Sequence, residues 1–307
     1  MSRLRVAALV LLALIASPAR AQRAEHPDAA LARRLSALAA GFHGDVGIYV
    51  RQLRTGASVA MNADSLFPTA STIKVPILLT LYDQAERGKL DLASVQARPA
   101  SLEYKYAEGT DVVSYMKTGD SLPLSELAFL MLTVSDNVAS LWIQALVGGG
   151  ETVNAWLAAN GFTQTRVNSR TPGREAARAI YGWGQTTPRE IANALVMIRQ
   201  GRAVSPRASE AMYRSLTKSY WGGNALSQIP PTVAVASKQG FVDRSRSEAL
   251  LVNAPSGDYV LAIYTKNNAD TTYAESNEAH RLIRAVSRAV YEHFNPADAW
   301  RPMAPAR

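Results

Sequence analysis

The chain has 307 residues, 48% apolar and 19% charged, with 33 Lys and Arg against 25 Asp and Glu for a net charge of +8. That length supplies a sizeable core, and the ordinary apolar fraction excludes wholesale disorder. The lack of Cys excludes a disulfide scaffold, a thiol nucleophile and a Cys-ligated metal; the four His, at 26, 43, 280 and 293, show no metal-ligand spacing, so neither a metal nor an organic cofactor is expected.

In chain order, residues 1–21 read as a secretory signal peptide: Arg3 and Arg5, a short apolar run at 6–16, and Ala19-Arg20-Ala21 before Gln22. Cleavage near Ala21 and a periplasmic or secreted location are expected. The run is too short to span a bilayer and no later stretch reaches about 18 apolar residues, so no stable membrane span is expected. Losing Arg3, Arg5 and Arg20 lowers the charge to about +5, and without a basic stripe interleaved with aromatics no nucleic-acid partner is expected. A monomer is expected.

Residues 31–41 read as an amphipathic helix ending at Gly41, followed by strands at 46–52 and 58–61 around Arg54-Thr55-Gly56. Residues 73–82 are apolar on nearly every side, as in a buried helix, although Pro76 there deprives the Thr72 carbonyl of a donor. Helices are predicted at 124–134 and 153–159, the second stopped by Asn160-Gly161. Thr187-Pro188-Arg189-Glu190 is a capping box opening a helix with Ile191, Leu195 and Ile198 on one face. Strands return at 233–236, 249–252 and 259–264, and a closing helix covers 275–294. Strands at both ends with helices between them predict an α/β (α+β) fold: an antiparallel sheet built from N- and C-terminal segments, flanking helices, and an inserted all-helical lobe. One domain is expected over 22–307, its α/β lobe at about 22–66 and 220–307 and its helical lobe at about 67–219.

With no Cys and no evident His partner, a nucleophile needs another activator. A serine one helical turn before a lysine supplies one, because i and i+3 share a face and a desolvated amine can take the hydroxyl proton. The pattern occurs three times, at Ser71–Lys74, Ser114–Lys117 and Ser215–Lys218. Only the first opens a strongly apolar helix; the second runs into Thr118-Gly119-Asp120 and the third lies in a polar stretch. Two further signals join Ser71. Ser135-Asp136-Asn137 follows a helix, where a loop can present a hydroxyl and an amide, and Lys238-Gln239-Gly240 follows a strand, which puts its ammonium on a sheet edge. Lys117-Thr118-Gly119 precedes Ser135 and lies outside any strand, as in a chance turn.

S-x-x-K, then S-D-N, then K-x-G, in this order and at these intervals, resembles the class A β-lactamases and penicillin-binding proteins. Phe67-Pro68-Thr69-Ala70 and Thr186-Thr187-Pro188 also look like class A sequence, and the resemblance covers essentially the whole chain after residue 21. It implies that Ser71 attacks a lactam carbonyl to form an acyl-enzyme, that Lys74 helps remove its proton, and that Ser135 relays a proton to the departing nitrogen. It further implies that Asn137 holds the substrate's side-chain amide, that Lys238 supplies positive potential, and that the N–H groups of Ser71 and Phe241 form an oxyanion hole; Asp136 braces its loop.

Two departures stand out. The family's glutamate before Thr-Thr-Pro falls at Thr171, and its asparagine at Glu175, so Glu175 is a candidate replacement base, with a surface role the alternative; Glu190 is already explained as a cap. Gln239 replaces the usual Ser or Thr hydroxyl, keeping a donor but adding bulk. Arg246 is a candidate partner for a substrate carboxylate, and Tyr104 or Tyr106 a candidate cleft wall or core residue. The leading reading is an exported serine β-lactamase-like hydrolase acting on small lactams. The alternatives are a penicillin-binding-like peptidase, transacylase or esterase with slow deacylation, acting on envelope peptides, and a non-catalytic envelope-binding relative.

Overall fold

The computed structural model describes residues 24–102, 104 and 109–302; the leader expected at 1–21 and Tyr106 lie outside them. A short strand β1 (His26–Pro27) leads into α1 (Ala29–Ala39), whose N-cap Asp28 accepts the Leu31 N–H at 2.9 Å. Ala40, not Gly41, closes this helix, in a right-handed conformation. The hairpin of β2 (Asp45–Gln52) and β3 (Ala57–Met61) forms where the alternating pattern placed it.

The helical region opens with β4 (Phe67–Pro68), a 3₁₀ turn at Ala70–Ile73 and α2 (Lys74–Glu86). Pro76 is therefore the third residue of α2, in the first turn, where its missing N–H has no intrahelical acceptor to serve. The short strands β5 (Val95–Ala97) and β6 (Ser121–Pro123) precede α3 (Leu124–Thr133), α4 (Asn137–Leu146) and α5 (Gly149–Ala159). Then come β7 (Arg166–Val167), α6 (Glu175–Tyr181), β8 (Gly184–Thr186), α7 (Pro188–Arg199) and α8 (Pro206–Leu216). Helices α4, α6 and α8 have no counterpart in the sequence pattern read above. Thr187 caps α7 as predicted, but the Glu190 carboxylate does not reach back to it; it accepts N–H groups of Thr163, Gln164 and Thr165 at 2.7–3.3 Å and so holds the preceding loop.

The chain ends with β9 (Val235–Val242), β10 (Ser245–Val252), β11 (Tyr259–Lys266) and α9 (Glu278–Phe294), the helix starting after the Asn277 cap. The main sheet has the order β1-β3-β2-β11-β10-β9, and the antiparallel β2–β11 pair, with Ile48 opposite Ile263, joins the N- and C-terminal segments. Alternation along the strands divides the core. Ile48, Val50, Leu250, Leu261 and Ile263 pack against Leu31, Leu35, Ile283, Val286 and Val290 of α1 and α9. Tyr49, Ala249, Leu251, Val260, Ala262 and Tyr264 face the helices between. This is the mixed α/β arrangement expected. No described helix is long and apolar enough to cross a membrane.

Candidate active site

Ser71 sits on the 3₁₀ turn rather than on the α-helix, and Lys74 begins the helix. In a 3₁₀ turn residues i and i+3 eclipse, which brings the Lys74 Nζ to 3.0 Å from the Ser71 Oγ. The turn is pinned from three sides. The Thr69 N–H donates to the Gly184 carbonyl at 2.9 Å, the Thr72 hydroxyl donates to the Thr69 carbonyl at 2.8 Å, and the Tyr264 hydroxyl donates to the Thr72 Oγ1 at 2.8 Å. Ala70, just before the serine, has a left-handed φ of 41°, a conformation costly for a residue with a Cβ and found where surroundings over-determine the backbone.

Ser135 is held in the same way, at φ 65° between α3 and α4. Asp136 and Asp111 lock its loop reciprocally. Asp136 accepts the N–H groups of Ala139 at 2.7 Å and Val113 at 2.9 Å, while Asp111 accepts that of Asn137 at 2.6 Å. Burial raises the Asp136 carboxyl above the usual range, and those two N–H bonds pull it back. Asp136 thus braces the loop as expected; Asp111 gave no sequence signal. From the far side, the Trp221 Nε1 donates to the Val134 carbonyl at 2.9 Å.

The three motif segments converge. Lys74, fully buried, bonds the Ser71 Oγ, the Ser135 carbonyl, the Ser135 Oγ at 3.0 Å and the Asn137 Oδ1 at 2.8 Å. Lys238, 2% exposed, donates to the same Ser135 Oγ at 3.0 Å. Burial holds the Lys238 ammonium well below its ordinary pKa; the Lys74 charge adds to this and Glu248 opposes it. Glu248, across on β10, is itself pushed up to about 7 by burial, with the Ala225 and Leu226 N–H groups and Lys238 acting the other way. Gly240 is a close-approach glycine: a Cβ there would fall 2.5 Å from the Thr69 carbonyl oxygen and 2.7 Å from the Ser71 nitrogen.

A cleft of about 430 Å³ opens over Ser71, lined also by Ser135, Asn137, Gln239, Gly240 and Phe241. Its opposite wall is largely apolar, with Ile180, Tyr181 and Trp183 from the end of α6 onward and Tyr104 edge-on to Trp183 at 5.5 Å between ring centroids. Tyr104 therefore walls the cleft.

Two of the predicted residues are not brought into it. Glu175 is exposed at the start of α6, a helix without buried residues, and its carboxylate accepts the Gly173 N–H at 3.1 Å. Arg246 lies on β10 opposite Phe241, on the face turned to α9, where its guanidinium donates to the carbonyls of Val242, Ser245 and Thr272 and lies over the Tyr273 ring. Strand parity accounts for this: Lys238 and Gly240 point to the helical region, and Arg246, paired with Phe241, takes the opposite parity. Arg244, two residues earlier in the β9–β10 turn, lines the cleft instead. Thr171 is buried with its hydroxyl on the Ser169 carbonyl, packed toward Gly150. Among the described lining residues there is no Asp or Glu.

A hydroxyl within hydrogen-bond reach of a buried amine, a second hydroxyl shared by two amines and a cleft open above them are the parts that acyl-transfer chemistry uses. The fold around it is that of the β-lactamase and penicillin-binding group. A structure of PBP-A aligns with a TM-score of 0.79 at 27% identity, covering 90% of this chain and 99% of that one; a mutant of PBP-A was solved as an acyl-enzyme complex with penicillin G. A β-lactamase of Rhodobacter capsulatus is 26% identical over 92% of this chain and 95% of its own length. β-Lactamase CARB-4 of Pseudomonas aeruginosa is 25% identical over 83% and 87%. Residues 30–294 match the β-lactamase enzyme family, and the chain belongs to it. It is a β-lactamase-like hydrolase by family and fold.

Proposed function

We propose that this protein is an exported serine enzyme that opens β-lactam rings by forming an acyl-enzyme at Ser71, and that it releases the product slowly. The observation that carries the first half is the Lys74 amine, within 3.0 Å of both hydroxyls. The Ser135 carbonyl and the Asn137 Oδ1 only accept, so they take two N–H groups; in a neutral amine the remaining lone pair accepts the Ser71 proton. The Ser71 oxygen then attacks the lactam carbonyl, and the backbone N–H groups of Ser71 and Phe241 receive the oxyanion; one such donor is worth about 10²–10³ in rate. As the C–N bond breaks, the ring nitrogen takes the Ser135 proton, which Lys74 replaces. Lys238 donates to the Ser135 Oγ, leaving that hydroxyl's own hydrogen for the leaving nitrogen.

The second half rests on the opposite wall. No described carboxylate stands beside Ser71 to activate a water, and Glu175 is turned to solvent. The described residues of the apolar wall, Ile180, Tyr181, Trp183 and Tyr104, include no carboxylate to take that part. The leader at 1–21 supports action outside the cytoplasm.

Intact-mass measurement over time after mixing with benzylpenicillin tests both halves. A single covalent adduct, absent in Ser71→Ala and persisting for many minutes in the wild type, is expected. No adduct in the wild type overturns acylation; an adduct that turns over within seconds overturns slow release.

A further inference from the structure

One end of the cleft has no part in the chemistry above. Along β9, Lys238 stands at Ser135, Gly240 at Ser71, and Val242 leads into the turn to β10. That turn therefore lies on the far side of Ser71 from the proton donor, about 10 Å beyond Gly240 at about 3.3 Å per residue. If the leaving nitrogen departs toward Ser135, the acyl portion retained on Ser71 extends toward the turn.

Two cations line the cleft there. Arg244 is exposed on the turn and donates only a long bond, 3.5 Å, to the Asn267 carbonyl. Lys266 ends β11, level with Ser245 if the Ser247–Tyr264 pairing is continued by two residues; its ammonium donates to the Leu66 carbonyl at 3.0 Å and rests 5.0 Å above the Phe67 ring. Among the described residues neither forms an ion pair. The nearby acids are engaged elsewhere, Asp243 by the Tyr273 hydroxyl at 2.5 Å and Asp45 by the Asn267 amide at 2.8 Å. Two cations outside any ion pair among the described residues, facing an apolar wall across a concave site, offer their N–H donors and charge to whatever the acyl group carries there. An arginine fork favours a carboxylate in particular.

We infer that the cleft selects β-lactams whose acyl side chain ends in a carboxylate, held between Arg244 and Lys266. This rests on the acyl-enzyme reading above. A side chain with about four methylenes between its amide and its carboxylate spans the distance from Ser71 to the turn.

The test compares two penicillins that differ only at that end, with adipoyl and hexanoyl side chains, by second-order acylation rate from intact mass. The wild type is expected to take the adipoyl compound at least tenfold faster, and the ratio should shrink at 0.5 M salt as the charges are screened. In Arg244→Gln with Lys266→Met the ratio should fall to within twofold. Arg244→Gln alone, at an exposed turn, should lower it several-fold and covers the case in which the double variant misfolds. Equal rates in the wild type, or a preference that survives Arg244→Gln and the double variant, overturn the inference while leaving the acyl-enzyme intact. No adduct from either compound removes both.

Discussion

The two walls of the cleft are built from different materials. One, made of the 70–74 turn, the 135–137 loop and β9, is polar, buried and densely bonded: two lysines, two hydroxyls and an amide linked in a chain of contacts of about 3 Å, with Asp111, Asp136, Thr72 and Tyr264 fixing their supports. The other, from α6 to β8, presents Ile180, Tyr181 and Trp183. On the proposed reading the first wall passes protons with little rearrangement, which is what acylation needs. The second, among its described residues, presents no carboxylate to serve as a base. If the proposed reading holds, the contrast teaches that the two halves of a hydrolytic cycle depend on separate parts of one cleft, so one can be complete without the other.

The largest effect should come from the polar wall. Ser71→Ala should abolish the adduct, and Lys74→Met should slow acylation by about 10²–10⁴, the usual worth of a placed general base, as read by stopped-flow with a chromogenic cephalosporin. Gly240→Ala should follow. Its methyl would collide with the Thr69 carbonyl and the Ser71 nitrogen, so a loss of about 1–3 kcal/mol in thermal unfolding is expected, together with slower acylation. If the variant acylates at the wild-type rate, that close approach is not needed by the site.

A third prediction sharpens how the polar wall holds its charge. Glu248 titrates near 7 when folded against an ordinary 4.5. A carboxyl raised on folding contributes stability that is present below about 4.5 and lost as pH rises through about 7. Glu248→Gln should therefore remove about 2–3 kcal/mol of the pH dependence of unfolding between pH 5 and 8. It should also remove the charge that supports Lys238, whose pKa falls further, and so move the alkaline limb of the acylation profile to lower pH. An unchanged limb in Glu248→Gln would uncouple the two residues. The smallest effect is expected at the apolar wall's edge: Glu175→Gln should leave the adduct lifetime within twofold, since its carboxylate serves the turn at Gly173. A markedly longer lifetime would bring Glu175 back as the base.

Much of this was legible in the residues. The hairpin at 45–61, the capped α7 and the closing amphipathic helix follow from local periodicity and caps, which are short-range physics. The strands at 235–252 were seen only in part, because β9 and β10 are covered on both faces. Ser237, Lys238 and Gln239 on β9, and Ser245, Arg246, Ser247 and Glu248 on β10, are buried polar residues that break an apolar run without ending the strand. Helix α4 gives no separate start signal because its cap, Asp136, lies inside the Ser135–Asn137 motif.

By itself, then, the order of residues determined the fold class, the Ser71–Lys74 spacing and the segments that belong with it, because turns, caps and i,i+3 relations are set by near neighbours. Only the tertiary structure decided which side chains share the cleft. Strand parity turned Arg246 to the α9 face, the cleft took Arg244 and Lys266 instead, and the exposed start of α6 kept Glu175 in solvent. A side chain's direction depends on register and on the partner face, and those are fixed by contacts between residues far apart in the chain.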